Sequence, residues 1–233
     1  MSHPLRTIHT QALDFWFARS SVVVIVGLQA LIINRLTLGP RWLAPALEVA
    51  LLVPLSFVTA WTQSQVREAT TDRHWVSIAR RRRLIRGMAV ALTILVTATN
   101  LASLIYLLEA LLGGHAKSSG QTLLLDALNI WATNVIAFAL WFWNIDRGGP
   151  ASQGLTWVDK DDFLFPQMTI AECDEWSPGF IDYLYVSFTN ATAFSPTDTM
   201  PLSRRAKLLM AAEAGISLLT IALVGARAVN ILS

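Results

Sequence analysis

Charge is scarce in this chain. Of 233 residues only 15% are Asp, Glu, Lys or Arg, while 54% are hydrophobic; a soluble domain carries about 25% charge and about 45–50% apolar residues. Eighteen bases and 16 acids leave a net charge of +2, so the shortage is of charge in total and not of one sign. A disordered chain and a DNA-binding domain are excluded, and a water-soluble enzyme is disfavoured. Cysteine is almost absent. Cys173 alone allows no intramolecular disulfide and no multi-cysteine metal site. His3, His9, His74 and His115 stand far apart without ligand spacing, so no metal or cofactor is expected. Long apolar runs are abundant, and they place the chain in a membrane.

A helix crossing the hydrocarbon core needs about 20 mostly apolar residues. Residues 42–60, 84–112, 122–145 and 206–232 meet that length. A fifth run, 20–38, is purely apolar only over its first half and then carries Asn34 and Arg35, which can snorkel at a boundary. Trp42, Trp61, Trp141 and Trp143 lie at span edges and read as interfacial belts, while Trp131 sits mid-span and fits core packing equally well. From Asp146 to Gly179 the chain is polar, acidic and turn-rich, and from Phe180 to Ala193 it is apolar and aromatic for 14 residues. That is too short to cross and suits a re-entrant or buried helix. The expected fold is all-α: a polytopic helical membrane protein with about five transmembrane helices and one re-entrant pore-like helix. Residues 1–121 form an N-terminal group of helices with a basic loop, and 122–233 form a pore-like module. The expected location is the plasma (cell inner) membrane.

Residues 187–201 read Ser187-Phe188-Thr189-Asn190-Ala191-Thr192-Ala193-Phe194-Ser195-Pro196-Thr197-Asp198-Thr199-Met200-Pro201. This stretch, without a gap, resembles the pore-helix end and filter of the two-span potassium-channel family, typically SFTTLTTVGYGDIVP. Ser187, Phe188, Thr189, Thr192, Asp198 and Pro201 match in residue type, and Glu213-Ala214, Ala226-Arg227 and Val229 continue the match along the inner helix. The resemblance covers about 50 residues, from Phe180 to the C-terminus, with the preceding span as outer helix. It implies a homotetramer around a pore that passes monovalent cations. The departures fall on the filter. Potassium selectivity uses stacked rings of backbone carbonyls, whose glycines adopt angles that residues with a Cβ avoid. Here Phe194-Ser195-Pro196-Thr197 holds neither glycine, and Pro196 removes an N–H. A filter-like segment remains: Thr192, Ala193, Phe194, Ser195, Pro196, Thr197 and Asp198. A ring of Asp198 carboxylates favours cations, and nine acids against five bases between Asp146 and Lys207 form an attracting mouth. The alternative for Asp198 is an ordinary cap on the last span.

Orientation brings two signals into conflict. Potassium-channel pores enter from outside, yet with five spans 14 of the 18 Lys and Arg share the side of the pore loop. Among them Arg80, Arg81, Arg82, Arg83 and Arg86 lie directly beside a span, where the positive-inside rule weighs most. Either the pore is inverted, as in the ionotropic glutamate receptors, or the hairpin is pore-like without conducting, or the span count between residues 84 and 145 is wrong. The arginine cluster itself reads as a topology signal, a lipid-headgroup patch or part of a short surface helix; nucleic acid is not an expected partner.

Ionisable groups within spans are costly and each is a functional candidate. Glu48, Asp126 and Glu213 lie inside spans, and Asp126, Asn129 or Ile130, and Asn134 share a helix face. They suit a water-accessible path, or interhelical hydrogen bonds that hold the bundle together. Arg204 and Arg205 are candidate partners for Glu213. No nucleophile–base pair, metal cluster or phosphate loop is visible, so no enzymatic activity is expected. Two functions compete: an oligomeric cation pore with a non-standard filter, and a non-conducting scaffold for assembly, sensing or partner binding.

Overall fold

A computed structural model describes residues 5–7, 12–31, 43–68, 72–112, 120–149, 155–157, 161–170, 176–192 and 198–232. In chain order these form β1 (Leu5–Thr7), α1 (Ala12–Leu31), α2 (Leu43–Glu68), α3 (Asp72–Leu112) and α4 (Gly120–Asp146). Next come β2 (Leu155–Trp157), β3 (Phe163–Leu164), a 3-10 turn over Pro166–Thr169, α5 (Phe180–Thr192), β4 (Met200–Pro201) and α6 (Arg204–Leu232). Among the described residues three helices are long and apolar enough to cross a membrane, over Arg81–Ala110, Thr122–Asp146 and Arg204–Gly225. The apolar stretches of the other two long helices are shorter, Trp16–Leu28 in α1 and Pro45–Thr59 in α2. The first apolar run folds earlier than its hydropathy suggests: α1 begins at Ala12 and ends at Leu31, and Asn34 and Arg35 lie outside the described residues.

The bundle is organised around α4. Sixty-one per cent of its apolar window is buried, against 33% in α3 and 17% in α6, so α4 is the hub and α6 the most open face. Phe138, Phe142 and Trp143 of α4 pack with Val22 and Ile25 of α1, Leu52 and Leu55 of α2, and Ile85, Ala89 and Val96 of α3 in one apolar cluster. Hydroxyls inside the spans turn back on their own helices: Thr93 donates to the Ala89 carbonyl at 2.8 Å and Thr97 to the Thr93 carbonyl at 2.7 Å, which keeps them satisfied where water is absent. Trp143 corrects the belt reading. It is fully buried, edge-on to Phe180 at 5.5 Å, and Trp141 donates its indole N–H to Thr97 at 3.0 Å. The side chains of Trp42 and Trp61 lie outside the described residues.

The described part of the expected basic loop over residues 61–87 is helical, with 69–71 outside the described residues. Residues 61–68 complete α2, and α3 runs unbroken for 41 residues, about 62 Å at the α-helical rise. That is about twice the hydrocarbon thickness, so α3 is longer than a crossing needs, and its arginines stand at the N-terminal edge of the apolar window Arg81–Ala110. Because α3 and α4 are each continuous, no additional crossing fits between residues 84 and 145.

Relative sidedness follows from the contacts. Asn144 reaches Thr93 at 3.5 Å, which sets the C-terminal end of α4 level with that turn of α3. Arg86 lies seven residues further out, about 10 Å, and Arg81 to Arg83 further still. The N-terminus joins this end too, since β1 pairs antiparallel with β2, Leu5 opposite Trp157. The basic turns of α3, the N-terminus and the segment after α4 therefore share one side of the bundle.

Candidate functional site

The site begins where α4 stops. Gly148 and Gly149 adopt φ of +76° and +53°, the left-handed region that residues with a Cβ rarely enter. A Cβ at Gly149 would collide with the Asn144 side chain. This glycine pair turns the chain so that residues 161–164 fold back on Asp146. Asp146 Oδ1 accepts from the backbone N–H of Asp162 at 2.5 Å and of Phe163 at 3.3 Å, and the Tyr183 hydroxyl donates to Oδ2 at 2.5 Å. Arg147 lies 3.5 Å from Asp146 and 3.2 Å from Asp161. Burial acts to lower the Arg147 pKa, but the acidic groups of Tyr183, Asp146 and Asp161 outweigh it and hold it above the ordinary arginine value.

Arg205, in the first turn of α6, grips Asp162 in a bidentate pair, Nε to Oδ1 at 2.7 Å and Nη2 to Oδ2 at 2.5 Å. Leu202 N–H donates to the Asp162 carbonyl at 2.8 Å, beside the β3–β4 pairing of Phe163 with Pro201. One clamp thus joins the end of α4, the start of α6 and α5 through Tyr183. Sequence reasoning missed it, reading these acids as a mouth. Asp146, Asp161 and Asp162 are instead committed to internal ion pairs. The available signal was the Asp161-Asp162 pair against Arg204-Arg205, but composition alone does not say which charges meet.

From the clamp α5 descends between α4 and α6. Its start is capped by Asp182: Gly179 N–H donates to Asp182 Oδ2 at 2.7 Å, the half of a capping box in which the N3 side chain reaches back, while Asp182 N–H donates to the Gly179 carbonyl at 3.1 Å. Burial raises the Asp182 carboxyl above its ordinary pKa, against the lowering effect of hydrogen bonds from the backbone N–H groups of Gly179 and of Asp182 itself. Thirteen residues make α5 about 20 Å long, short of a crossing. Tyr183, Ser187 and Asn190, at helical spacing, face inward, while Ile181, Tyr185 and Phe188 are exposed. Both flanks of α5 sit at the clamp end: Trp176 packs against Phe165 with the rings tilted and their centroids 5.6 Å apart, and Met200 pairs with Leu164.

At depth, α5 meets Glu213. This glutamate is nine residues into α6, about 13 Å from its start, and is fully buried. Its Oε2 accepts from Asn190 Nδ2 at 2.6 Å, and its Oε1 contacts the Ser187 hydroxyl. Asn190 also donates to the Met210 carbonyl at 2.9 Å, and Asn134 Nδ2 donates to Ser217 Oγ at 2.9 Å and to the Glu213 carbonyl at 3.4 Å. Ser187 lies 2.6 Å from the Val135 carbonyl as well. One hydroxyl proton cannot serve two acceptors. Both contacts become hydrogen bonds together when Glu213 carries the proton: it donates to Ser187, and Ser187 donates to Val135. An ionised Glu213 draws the Ser187 proton to itself and leaves that carbonyl contact unmade.

The structure thus brings Glu213 and Asn134 together and adds Ser187, Asn190 and Ser217. The basic candidates do not meet Glu213, because Arg205 is engaged with Asp162. Asp126 lies deeper on α4, 2% exposed, and neither of its oxygens has a hydrogen-bond partner among the described residues. Glu48 is fully buried in α2. Thr192 closes α5, its hydroxyl on the Thr189 carbonyl at 3.0 Å. Ala193, Phe194, Ser195, Pro196 and Thr197 lie outside the described residues, as does the side chain of Arg80. Asp198 is exposed and is no cap: α6 starts at Arg204, and Ser203 Oγ accepts from Ala206 N–H at 3.1 Å. Arg81, Arg82, Arg83 and Arg86 lie on α3 at the clamp end. Among the described residues no three His, Cys, Asp or Glu side chains gather as a metal site.

Fold and site together define a helical membrane protein with a half-length helix held against a buried carboxyl group. The chain matches no family model, no curated protein and no solved structure.

Proposed function

We propose that this protein is a homo-oligomeric, pore-type membrane protein of the cell inner membrane that passes monovalent cations through a non-standard filter. The observation that carries the reading is the position of α5: a half-length helix wedged between α4 and α6, with both flanks at one end. In this reading α4 is the outer helix, α5 a re-entrant pore helix and α6 the inner helix, with α1 and α2 completing five crossings. Segment 192–198, ending in the exposed Asp198, lines the path. The exposed side of α6 supports assembly. Ala211, Gly215, Leu218, Ala222 and Gly225 lie on one face opposite Glu213, and small residues let helices from neighbouring copies approach closely. The arginines at the clamp end make that side cytoplasmic, so the hairpin enters from the cytoplasm.

The test is reconstitution into planar bilayers. A cation current whose selectivity changes in Asp198→Asn is expected; a purified tetramer that stays silent at all voltages overturns the proposal. The second reading, a non-conducting scaffold, is favoured by one observation: the polar face of α5 is spent on Glu213 and Asp146 of its own chain. A monomer or dimer without current is its expected result.

A further inference from the structure

Near the clamp end α1, α2, α3 and α4 leave a side-open cleft between them, with about 420 Å³ of unfilled space, its mouth included. The walls are apolar, among them Val22, Leu55, Ala89 and Trp143, and Arg19 reaches into it. The Arg19 guanidinium stacks on Trp16 at 5.7 Å and donates from Nη2 to the Ser56 carbonyl at 3.1 Å. Among the described residues no carboxylate lies within ion-pair distance of it. A guanidinium has five N–H donors, so most of its binding capacity and its whole charge are left for something else. An arginine against apolar walls within the membrane is costly unless an anion or the interface receives it.

Depth identifies the anion. Leu140 and Trp143 line the cleft three to six residues before the end of α4, about 5–9 Å below that end. That is where phospholipid headgroups give way to acyl chains. On α3, Arg82, Arg86, Ala89 and Thr93 recur at spacings of four, three and four, on one helix face; the last two line the cleft. The basic stripe therefore leads from the headgroup layer into the apolar cavity.

We propose that this cleft binds an anionic phospholipid of the surrounding bilayer, its phosphate on Arg19 and the Arg82–Arg86 stripe and one acyl chain between α1 and α3. The apolar walls choose a lipid over a free anion, and the Arg19 charge, with no described carboxylate in ion-pair distance, chooses an acidic headgroup over a zwitterionic one. The reading is independent of whether the protein conducts.

The experiment uses the full chain in detergent, titrated with dioleoyl phosphatidylglycerol, dioleoyl phosphatidylcholine or glycerol phosphate, with bound lipid counted by native mass spectrometry and unfolding followed thermally. Phosphatidylglycerol is expected to bind in a defined number per chain and to raise the unfolding temperature, and the other two to do neither. Arg19→Gln, which removes the charge, and Ala89→Leu, which fills the cavity, are each expected to weaken binding at least fivefold. Arg83→Gln, on another face of α3, is expected to leave it unchanged. Ala18→Val serves if Ala89→Leu does not fold. Equal binding of phosphatidylcholine, competition by glycerol phosphate alone, or wild-type binding in both Arg19→Gln and the cavity-filling variant overturns the proposal.

Discussion

Glu213 is a carboxyl group whose surroundings fit one protonation state better than the other. Ser187 can donate to the Val135 carbonyl only if Glu213 supplies its own proton. A glutamine can donate to Ser187 and accept from Asn190 in the same geometry. Glu213→Gln is therefore expected to keep the wild-type unfolding temperature within a few degrees, whereas Glu213→Ala orphans buried groups on α5 at about 1–3 kcal/mol each. Thermal unfolding of both variants in one detergent checks this, and a Gln variant as unstable as the Ala variant refutes the protonated network. At the clamp, Tyr183→Phe deletes a hydrogen bond to a buried carboxylate, which is expected to cost about 1.5–3 kcal/mol. The same unfolding measurement reads it.

Elements are joined here by a few turns whose backbone leaves little choice. Gly149 combines a left-handed φ with a Cβ position already filled by Asn144. Gly149→Ala meets both, and a residue other than glycine in that region costs about 1–3 kcal/mol. The expected result is faster limited proteolysis between α4 and α5, because this turn delivers Asp162 to Asp146; cleavage at the wild-type rate would show that the clamp forms without it. The half-helix α5 depends on that clamp. Its inward stripe binds at successive depths, Tyr183 to Asp146, Ser187 to Val135 and Glu213, and Asn190 to Glu213 and Met210, and the polar cap at Gly179 and Asp182 fixes where it starts.

Across the molecule, the decisive feature is that the arginine-bearing end of α3, the N-terminal strand and both flanks of α5 lie on one side. By the positive-inside rule that side is expected to be cytoplasmic. Cys173, the single cysteine, falls between Ile170 and Trp176, in the segment that follows α4. A membrane-impermeant thiol reagent is expected to label it only after the cells are opened. Labelling of intact cells would place this side outside and reverse the orientation.

Much of the architecture is legible in the chain before it folds. Of the five apolar runs expected to cross, three form helices long and apolar enough to do so; these, a 13-residue apolar helix too short to cross, and arginines beside a span follow from composition and periodicity, because a bilayer demands length and low charge from each helix separately. The charged and polar partners are not legible in this way. Arg205 chooses Asp162 over Glu213, Trp143 turns inward to Phe180, and three of the nine acids that read as a mouth, Asp146, Asp161 and Asp162, form ion pairs. These choices depend on which helix faces meet and at what depth, and two residues 16 to 43 positions apart acquire a distance only when α4, α5 and α6 pack. Hydropathy acts on each residue alone, but a hydrogen bond or an ion pair needs two groups within about 3 Å of each other, and that proximity arises only from packing.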